Sequence, residues 1–251
     1  VRRSYLELLK GAIQLSAVPN FWDINLKVSY DLSPSDKLSM IGFGSIDRID
    51  FDGDKTDDLD DPYGKAFSHQ NNYVAGFNYT KIFKKGYLQT TLSNSISDYD
   101  IVSYGQRQDT ILFDDKATER EHTLKSELNQ QLNKTFNMNF TLGGKYANVK
   151  NNVFAKQDTT YAGYIRPDLI FDNTVNTYKL FGSVNLTSKF FNDDLILNAG
   201  FRVDYFDFIN LKTYFSPRVG ASYKLTPVTT VNSSYGIFYQ SPAYLWLASN
   251  P

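Results

Sequence analysis

The chain has 251 residues, of which 41% are apolar, and its 26 basic and 27 acidic side chains leave a formal net charge of −1. This charge offers no basic face for a nucleic-acid partner, and the absence of cysteine excludes thiol catalysis, disulfide scaffolds and Cys-ligated metals. No apolar run approaches the roughly 18 residues of a transmembrane helix. The 19 Phe and 18 Tyr residues instead favour β-structure.

Alternation of apolar and polar residues recurs along the chain and predicts β-strands with one apolar face. It is clearest at 21–32, where six apolar side chains share one parity and polar side chains share the other. In chain order the predicted strands include 21–32, 37–47, 72–83, 87–98, 120–132, 136–146, 178–188, 195–206, 214–225 and 231–240. Three of them are less regular, because Gly42, Asn94 and Gln130 interrupt the apolar face. We count about eleven strands in all.

The predicted links alternate between short and long. Short links rich in Ser, Pro, Asn, Asp, Gly and Lys are expected at 33–36, 84–86, 133–135, 191–194 and 226–229. Longer links are expected near 47–69, 99–119, 147–173 and 207–213. Bacterial outer-membrane barrels have short periplasmic turns and longer extracellular loops. The sequence therefore predicts an all-β fold, an antiparallel transmembrane β-barrel whose longer links face the outside of the cell.

The charges and aromatic residues follow the same pattern. The strand positions that carry apolar residues lack ionisable side chains, with Lys81 as the exception. Lys81 lies near a turn, where its aliphatic stem can bring the ammonium group to the lipid headgroups. Aromatic side chains cluster near strand ends, as in the interfacial girdles of such barrels: Trp22, Tyr30, Tyr79, Phe83, Phe136, Tyr146, Phe190, Phe215 and Tyr223. Ordinary packing in a protein core is the alternative explanation of these aromatics.

Several stretches resemble the barrel domain of TonB-dependent outer-membrane receptors. They are RRSYLEL at 2–8, the run at 23–49 and the stretch at 200–242, within which SPRVGASYKLTP and SSYGIFYQSP are the most specific. The resemblance implies a 22-strand barrel closed by an N-terminal plug domain. It also implies an energy-coupling partner, TonB, and active uptake of a scarce bulky ligand such as a siderophore, a vitamin or an oligosaccharide.

The resemblance also implies a domain organisation. Residues 1–251 are expected to be a partial outer-membrane β-barrel domain, about half of 22 strands, because the plug domain and the remaining strands of the family are absent from this sequence. The chain begins at Val1 without Met and is expected to be an internal fragment. We expect the bacterial cell outer membrane as its location, with lipid and the protein's own plug domain as partners.

The loop at 147–173 is the predicted ligand contact. It combines the aromatic residues Phe154, Tyr161 and Tyr164 with Arg166 and Asp168. Rigid aromatic rings beside a forked cation suit the capture of a ligand at a barrel mouth. Packing within the loop itself is the alternative.

An acidic loop at 47–61 is a second candidate site. Asp50, Asp52, Asp54, Asp58 and Asp61 have spacings that resemble a calcium loop, and calcium prefers such carboxylate ligands. The match is imperfect, because the glycine of the loop and the final Glu of the pattern are not where the pattern requires them. A solvated acidic loop is the alternative, and no other cofactor is expected.

Enzymatic activity is not expected. His69 and His122 are the only histidines and are far apart in sequence, and no phosphate loop or nucleophile motif occurs. Inward carboxylates are expected to pair with cations across a polar wall, the carboxylates being Asp23, Asp31, Glu127 and Asp204 and the cations Lys27, Lys125, Arg202 and Arg218.

Two other functions fit a barrel wall of this kind. A passive outer-membrane pore would share the wall but would lack a plug. A surface adhesion or assembly barrel would bind macromolecules with its loops and conduct nothing. Both remain open alternatives to active uptake.

Overall fold

The computed structural model describes residues 2–3, 17–52, 63–105, 110–159 and 164–248. Its strands are β1 (Arg2–Arg3), β2 (Ala17–Ser33), β3 (Asp36–Asp52), β4 (Tyr63–Phe83), β5 (Gly86–Gly105), β6 (Ile111–Gln131), β7 (Phe136–Ala155), β8 (Asp158–Thr159), β9 (Ile165–Arg166), β10 (Leu169–Phe190), β11 (Leu195–Phe206), β12 (Thr213–Thr226) and β13 (Thr229–Gly236). A five-residue helix, α1 (Tyr244–Ala248), follows the last strand. None of the helical structure in these described ranges is long and apolar enough to cross a membrane.

Eleven strands form a single antiparallel sheet in which strands adjacent in sequence are also adjacent in space. The order is β1 to β7, then β10 to β13, while β8 and β9 form a separate two-stranded ribbon in the link before β10. The predicted all-β antiparallel fold with about eleven strands is confirmed. Such a meander needs only turns between neighbours, which agrees with the short links found in the sequence.

The sheet has one apolar and one polar face. Register shifts occur near strand ends, such as Asp31/Ser33 in β2 and Lys224/Thr226 in β12, so the alternation of side chains continues through the middle of these strands. The apolar face presents Leu26, Phe140 and Leu142, which are 52%, 42% and 58% exposed. The polar face carries the opposite parity. Exposed large apolar side chains over a whole sheet face indicate that something other than water covers it.

Aromatic residues pair across strands near the ends of the apolar face. The ring pairs are Phe136 with Phe190 at 6.2 Å, Phe201 with Phe215 at 5.9 Å and Tyr178 with Tyr205 at 5.8 Å between centroids. Offset and edge-on arrangements of this kind stabilise neighbouring strands. Three of these six side chains, Phe136, Phe190 and Phe215, are at girdle positions that the sequence predicts.

Lys81 on β4 has a local partner at the nearby turn. Its Nζ lies 2.8 Å from each carboxylate oxygen of Asp36, which also accepts hydrogen bonds from the hydroxyl groups of Tyr79 at 2.6 Å and of Ser33 at 2.5 Å. Asp36 lies at the turn, beyond the apolar part of the strand. Lys81 chiefly, then Ser33 and Tyr79, lower the pKa of Asp36 below its ordinary value.

The short links lie at one end of the sheet, as predicted. Two-residue turns occupy 34–35, 84–85 and 227–228, and four-residue turns occupy 132–135 and 191–194. Asn133 Oδ1 accepts hydrogen bonds from the backbone N–H groups of Thr135 and Phe136, at 2.8 and 2.9 Å. In the turn at 191–194 the residues Phe191, Asn192 and Asp193 have φ angles of 54°, 56° and 70°, and Asn and Asp adopt this left-handed conformation more readily than most residues.

The links at the other end are shorter than predicted, because several strands continue well past the apolar region. The strands before them end at Asp52, Gly105, Ala155 and Phe206, and the next strands of the sheet begin at Tyr63, Ile111, Leu169 and Thr213. The prediction of a loop at 47–61 is wrong for its first six residues, which belong to β3. Beyond the apolar region both faces of a strand meet water, so apolar alternation disappears although the backbone pairing of the sheet continues.

The last predicted strand, 231–240, is also wrong at its end. β13 stops at Gly236, and residues 237–248, called the inward segment below, leave the sheet and end in α1. Ala248 packs with Val149 of β7 and Val175 of β10 in a small buried cluster, against which Tyr244 also packs. Val149 and Val175 belong to the polar face, so the inward segment covers an apolar patch on an otherwise polar wall.

Candidate functional site

The polar face pairs its carboxylates with nearby cations, as the sequence predicted. The four pairs are Asp23 with Arg2 at 2.9 Å, Asp31 with Lys37 at 3.5 Å, Glu127 with Lys125 at 3.4 Å and Asp204 with Arg202 at 2.6 Å. The prediction is wrong for Lys27 and Arg218, which form no ion pair within the described ranges. Two of the predicted partners are replaced by Arg2 and Lys37.

A cavity of about 900 Å³ lies on the polar face, between β10, β11, β12 and the inward segment. We call it the cationic cavity. Its charged lining residues are Lys125, Lys145, Lys179, Arg202, Arg218 and Asp204. Its aromatic lining residues are Phe181, Tyr205, Phe206, Tyr214, Phe238 and Tyr239. Ligand pockets in proteins typically measure about 300 to 1,000 Å³, so this cavity can hold a small molecule.

The inward segment forms one wall of the cationic cavity, and three side-chain hydrogen bonds connect it to two strands, β6 and β10. Its hydrogen bonds are Tyr244 OH donating to Glu121 Oε2 on β6 at 2.9 Å, Lys179 Nζ on β10 donating to Ser241 Oγ at 2.9 Å, and Asn173 Nδ2 on β10 donating to the Ala248 carbonyl at 3.1 Å. Glu121 also accepts a hydrogen bond from Lys145 on β7 at 2.7 Å. The cavity therefore exists only while this segment is folded against the wall.

Tyr244 is held as a hydrogen-bond donor. Burial raises the pKa of Tyr244, and the neighbouring carboxylate of Glu121 raises it further. The phenol therefore stays protonated at any physiological pH and keeps its bond to Glu121.

The cations of the cavity are stacked on aromatic rings. The Arg202 guanidinium lies 4.9 Å from the centre of the Phe181 ring, and the Arg218 guanidinium lies 5.4 Å from the Phe238 ring. Lys179 Nζ lies 4.3 Å from the Phe206 ring and 4.0 Å from the Tyr244 ring. Such cation–π contacts fix long side chains in one orientation.

The described residues among the predicted ligand contacts do not line this cavity. Phe154 lies near the end of β7, at a position whose parity is that of the apolar face. Tyr164, just before β9, is 74% exposed, and Arg166 belongs to β9. Asp168 accepts a hydrogen bond from the Gln157 backbone N–H at 2.6 Å across the same link. Tyr161 lies outside the described residues, and the prediction of ligand contact by this loop stays a prediction.

The predicted calcium ligands are only partly described. Asp50 and Asp52 are in β3, and Asp50 Oδ1 lies 3.3 Å from His69 Nε2 on β4. Asp54, Asp58 and Asp61 lie outside the described residues. His122, the other histidine, accepts a hydrogen bond from Asn94 at 2.9 Å when its Nδ1 is unprotonated. In the part of the chain that the structure describes, no three metal-binding side chains are grouped, and the calcium site stays a prediction.

Sequence reasoning missed Lys179 and Arg218 as members of one site. Lys179 was one polar residue in an alternating strand, Arg218 was predicted to pair with a carboxylate of the wall, and the aromatic residues at 238–244 were assigned to a strand and its end. One signal was available in the sequence, because Gly200 and Gly236 flank Arg218 on adjacent strands. That signal could be interpreted only with the strand register.

The sequence of residues 14–251 matches the protein family described as TonB dependent receptor-like, beta-barrel. This chain belongs to that family. No curated protein matches its sequence.

Solved structures of such receptors have a similar fold. The ferripyoverdine receptor of the Pseudomonas aeruginosa outer membrane has a TM-score of 0.69 and 16% identity, over 88% of this chain and 36% of the receptor. A variant of the ferric enterobactin receptor PfeA from the same species has a TM-score of 0.67 and 16% identity, over 90% of this chain and 34% of PfeA. The copper transporter OprC has a TM-score of 0.69 and 11% identity, over 92% of this chain and 38% of OprC. This chain therefore spans little more than a third of each neighbour.

Membership in this family indicates what each face of the sheet contacts. In such barrels the apolar face contacts lipid and the polar face lines the lumen, while the short turns are periplasmic and the longer links extracellular. The cationic cavity is lined by Ile209, Asn210 and Leu211 of the link at 207–212 and by the inward segment after β13. It accordingly lies beside this link, at the end of β11 and β12 opposite their short turns. The similar structures include a receptor of the outer membrane and a copper transporter.

Proposed function

We propose that this chain forms part of the wall and mouth of an outer-membrane receptor for active, TonB-coupled uptake. Its ligand would be a scarce, bulky molecule such as a siderophore, a vitamin or an oligosaccharide, and the receptor would perform no chemistry on it. The bacterial outer membrane is the proposed location.

The observation that carries this proposal is the cationic cavity on the polar wall, beside the link at 207–212. A ligand arriving from outside would meet charged and aromatic side chains already fixed by ion pairs and ring contacts, such as Arg202 between Asp204 and Phe181. Fixed side chains lower the entropic cost of binding. The exposed loop residues Tyr164 and Arg166 are proposed to add contacts as the ligand approaches.

A plug domain and TonB are the proposed partners inside the cell envelope. A barrel with about twice as many strands as this sheet would enclose a wide lumen. Such a lumen would leak unless it were filled, and a wall that mixes charges of both signs, such as Lys145 and Glu121, suits contact with a hydrated domain. Calcium at the acidic residues near Asp50 is a further proposal, which titration of the purified receptor with calcium would test.

The decisive experiment separates active uptake from passive diffusion. Cells that carry or lack the full-length receptor are given radiolabelled ferric siderophores, a cobalamin and maltooligosaccharides, with TonB present or deleted. We expect at least one compound to accumulate only when both the receptor and TonB are present, and a protonophore to stop this accumulation. The matched control is a porin substrate such as glucose, whose entry should not depend on TonB.

Planar bilayer recordings provide an independent measurement. The full-length receptor should be closed to ions, because its plug fills the lumen. Free ion conductance together with accumulation that does not depend on TonB would contradict the proposal and favour a passive pore. Binding of a host-cell or matrix protein without uptake of any compound would favour an adhesion or assembly barrel.

A further inference from the structure

More cations than carboxylates line the cationic cavity. Five cations line it, and three of them have carboxylate partners: Lys125 with Glu127, Lys145 with Glu121 and Arg202 with Asp204. The remaining two, Lys179 and Arg218, form no ion pair within the described ranges. Lys179 contacts Ser241 and two aromatic rings, none of which carries a negative charge.

Arg218 is built into the wall with a free hydrogen-bonding group. Its Nε is buried and has no hydrogen-bond partner among the described residues. A buried donor without a partner is unfavourable, which points to a partner that arrives from outside the wall. The register places Gly200 on one side of Arg218 and Gly236 on the other.

Both glycines make room for this arginine. A Cβ on Gly200 would lie 2.7 Å from Arg218 Cγ and 2.4 Å from Asn185 Oδ1. A Cβ on Gly236 would lie 3.1 Å from Arg218 Cβ and 3.0 Å from the Phe238 ring. The arginine stem therefore lies flat across one glycine while the Phe238 ring occupies the space above the other. Gly200 is a positioning residue for Arg218.

The position of the cavity favours a ligand over the plug domain as the source of the missing anion. The link at 207–212 and the inward segment border the cavity, and both follow the ends of strands opposite the short turns, which the proposed topology makes extracellular. A molecule from outside reaches this end first. The aromatic lining, including Phe238 and the Tyr214–Tyr239 pair at 4.8 Å, favours a ligand with planar groups.

We infer that the cationic cavity binds a negatively charged ligand with planar or ring-bearing groups, and that Arg218 and Lys179 contact its anionic oxygens. This inference rests on the proposed receptor function and narrows its ligand: among the three proposed classes it favours anionic molecules over neutral oligosaccharides. The paired cations of the wall, such as Arg202, supply the surrounding positive potential.

Equilibrium binding to the purified full-length receptor in detergent tests this inference without requiring transport. The probe is pyrenetetrasulfonate, a planar polyanion, followed by fluorescence anisotropy, and maltoheptaose followed by calorimetry is the neutral comparison. We expect saturable binding of the dye, weakened about tenfold or more by Arg218→Gln and by Lys179→Gln. Gly200→Ala should weaken it similarly although it changes no charge, because it displaces the arginine stem.

Matched controls separate site effects from general effects. Lys27→Gln removes a cation of the polar face outside the cavity, and Gly220→Ala adds a methyl group where the nearest atom is 3.5 Å away. Both should bind the dye within about twofold of the unmodified receptor. Heat-modified migration in gels should show that every variant is folded.

Three results would overturn the inference: no saturable dye binding, dye binding that Arg218→Gln leaves unchanged, or binding of maltoheptaose that depends on Arg218. The first would favour a carboxylate of the plug as the occupant of the cavity. Dye binding is measured without TonB or a proton gradient. If dye binding fails, the uptake experiment can still support active transport. If TonB-dependent uptake fails, dye binding can still support an anion site.

Discussion

Phe181 packs closely over Gly143, and the distances around Gly143 predict how a larger residue there would change the stability of the protein. Gly143 on β7 lies opposite Phe181 on β10. A Cβ at Gly143 would lie 2.4 Å from Phe181 Cζ and 2.9 Å from the carbonyl oxygen of Leu124. The ring could swing away, but it also supports Arg202, and the Leu124 oxygen is held in the β6–β7 pairing. Gly143→Ala should therefore force the wall itself to shift.

The magnitude follows from two opposing effects. Overpacking of this kind costs about 1 to 3 kcal/mol. Replacing a strand glycine with alanine recovers about 0.5 to 1 kcal/mol, because the unfolded chain loses freedom. We expect Gly143→Ala to lower the free energy of unfolding by about 1 to 2 kcal/mol. Gly182 on the adjacent strand is the matched control, because the nearest atoms to its Cβ are 3.8 Å away, so Gly182→Ala should be neutral or slightly stabilising.

The assay is reversible urea unfolding of the full-length protein in phospholipid vesicles, followed by tryptophan fluorescence. A Phe181→Leu background should reduce the penalty of Gly143→Ala, since the ring that clashes is gone. Equal unfolding midpoints for Gly143→Ala and Gly182→Ala would refute the reasoning. So would a penalty that is unchanged in the Phe181→Leu background.

Three further predictions concern the turn, the topology and the inward segment. Asp36→Asn should lower the melting temperature at pH 7. Because Lys81 lowers the pKa of Asp36, the difference in melting temperature between the two proteins should shrink as the pH falls below about 4. A difference that does not depend on pH would contradict this prediction. A single cysteine at Lys116 should react with an impermeant maleimide on intact cells, whereas one at Lys85 should react only after permeabilisation, and the reverse pattern would invert the orientation. Tyr244→Phe should increase proteolysis of the inward segment roughly fivefold while the barrel stays folded, and unchanged cleavage would show that its hydroxyl group does not hold the segment.

The alternation of residues predicted most of the sheet because it has a local cause. A strand that separates lipid from water must place an apolar residue at every second position, so 21–32 shows its own orientation without any knowledge of its neighbours. The turns were equally local, as Asn133 shows by capping the backbone of its own link. The strand extensions were missed because both of their faces meet water.

The site was much less predictable from sequence. The aromatic loop at 154–168 has the composition of a ligand site. The cavity lies elsewhere and is lined by residues that local sequence patterns do not distinguish from other residues of their strands. Lys179 and Ser241 are separated by 62 residues, and Glu121 and Tyr244 by 123. No local pattern connects positions so far apart.

The sequence by itself determined the strands, their two faces and the short turns, since each depends on the chemistry of a few consecutive residues. Only the tertiary structure decided that the chain turns inward after Gly236 and that Arg218 keeps a free donor while Arg202 does not. The physical reason is register: whether a cation meets a carboxylate or a glycine depends on how neighbouring strands align, and backbone hydrogen bonds set this alignment across the whole sheet.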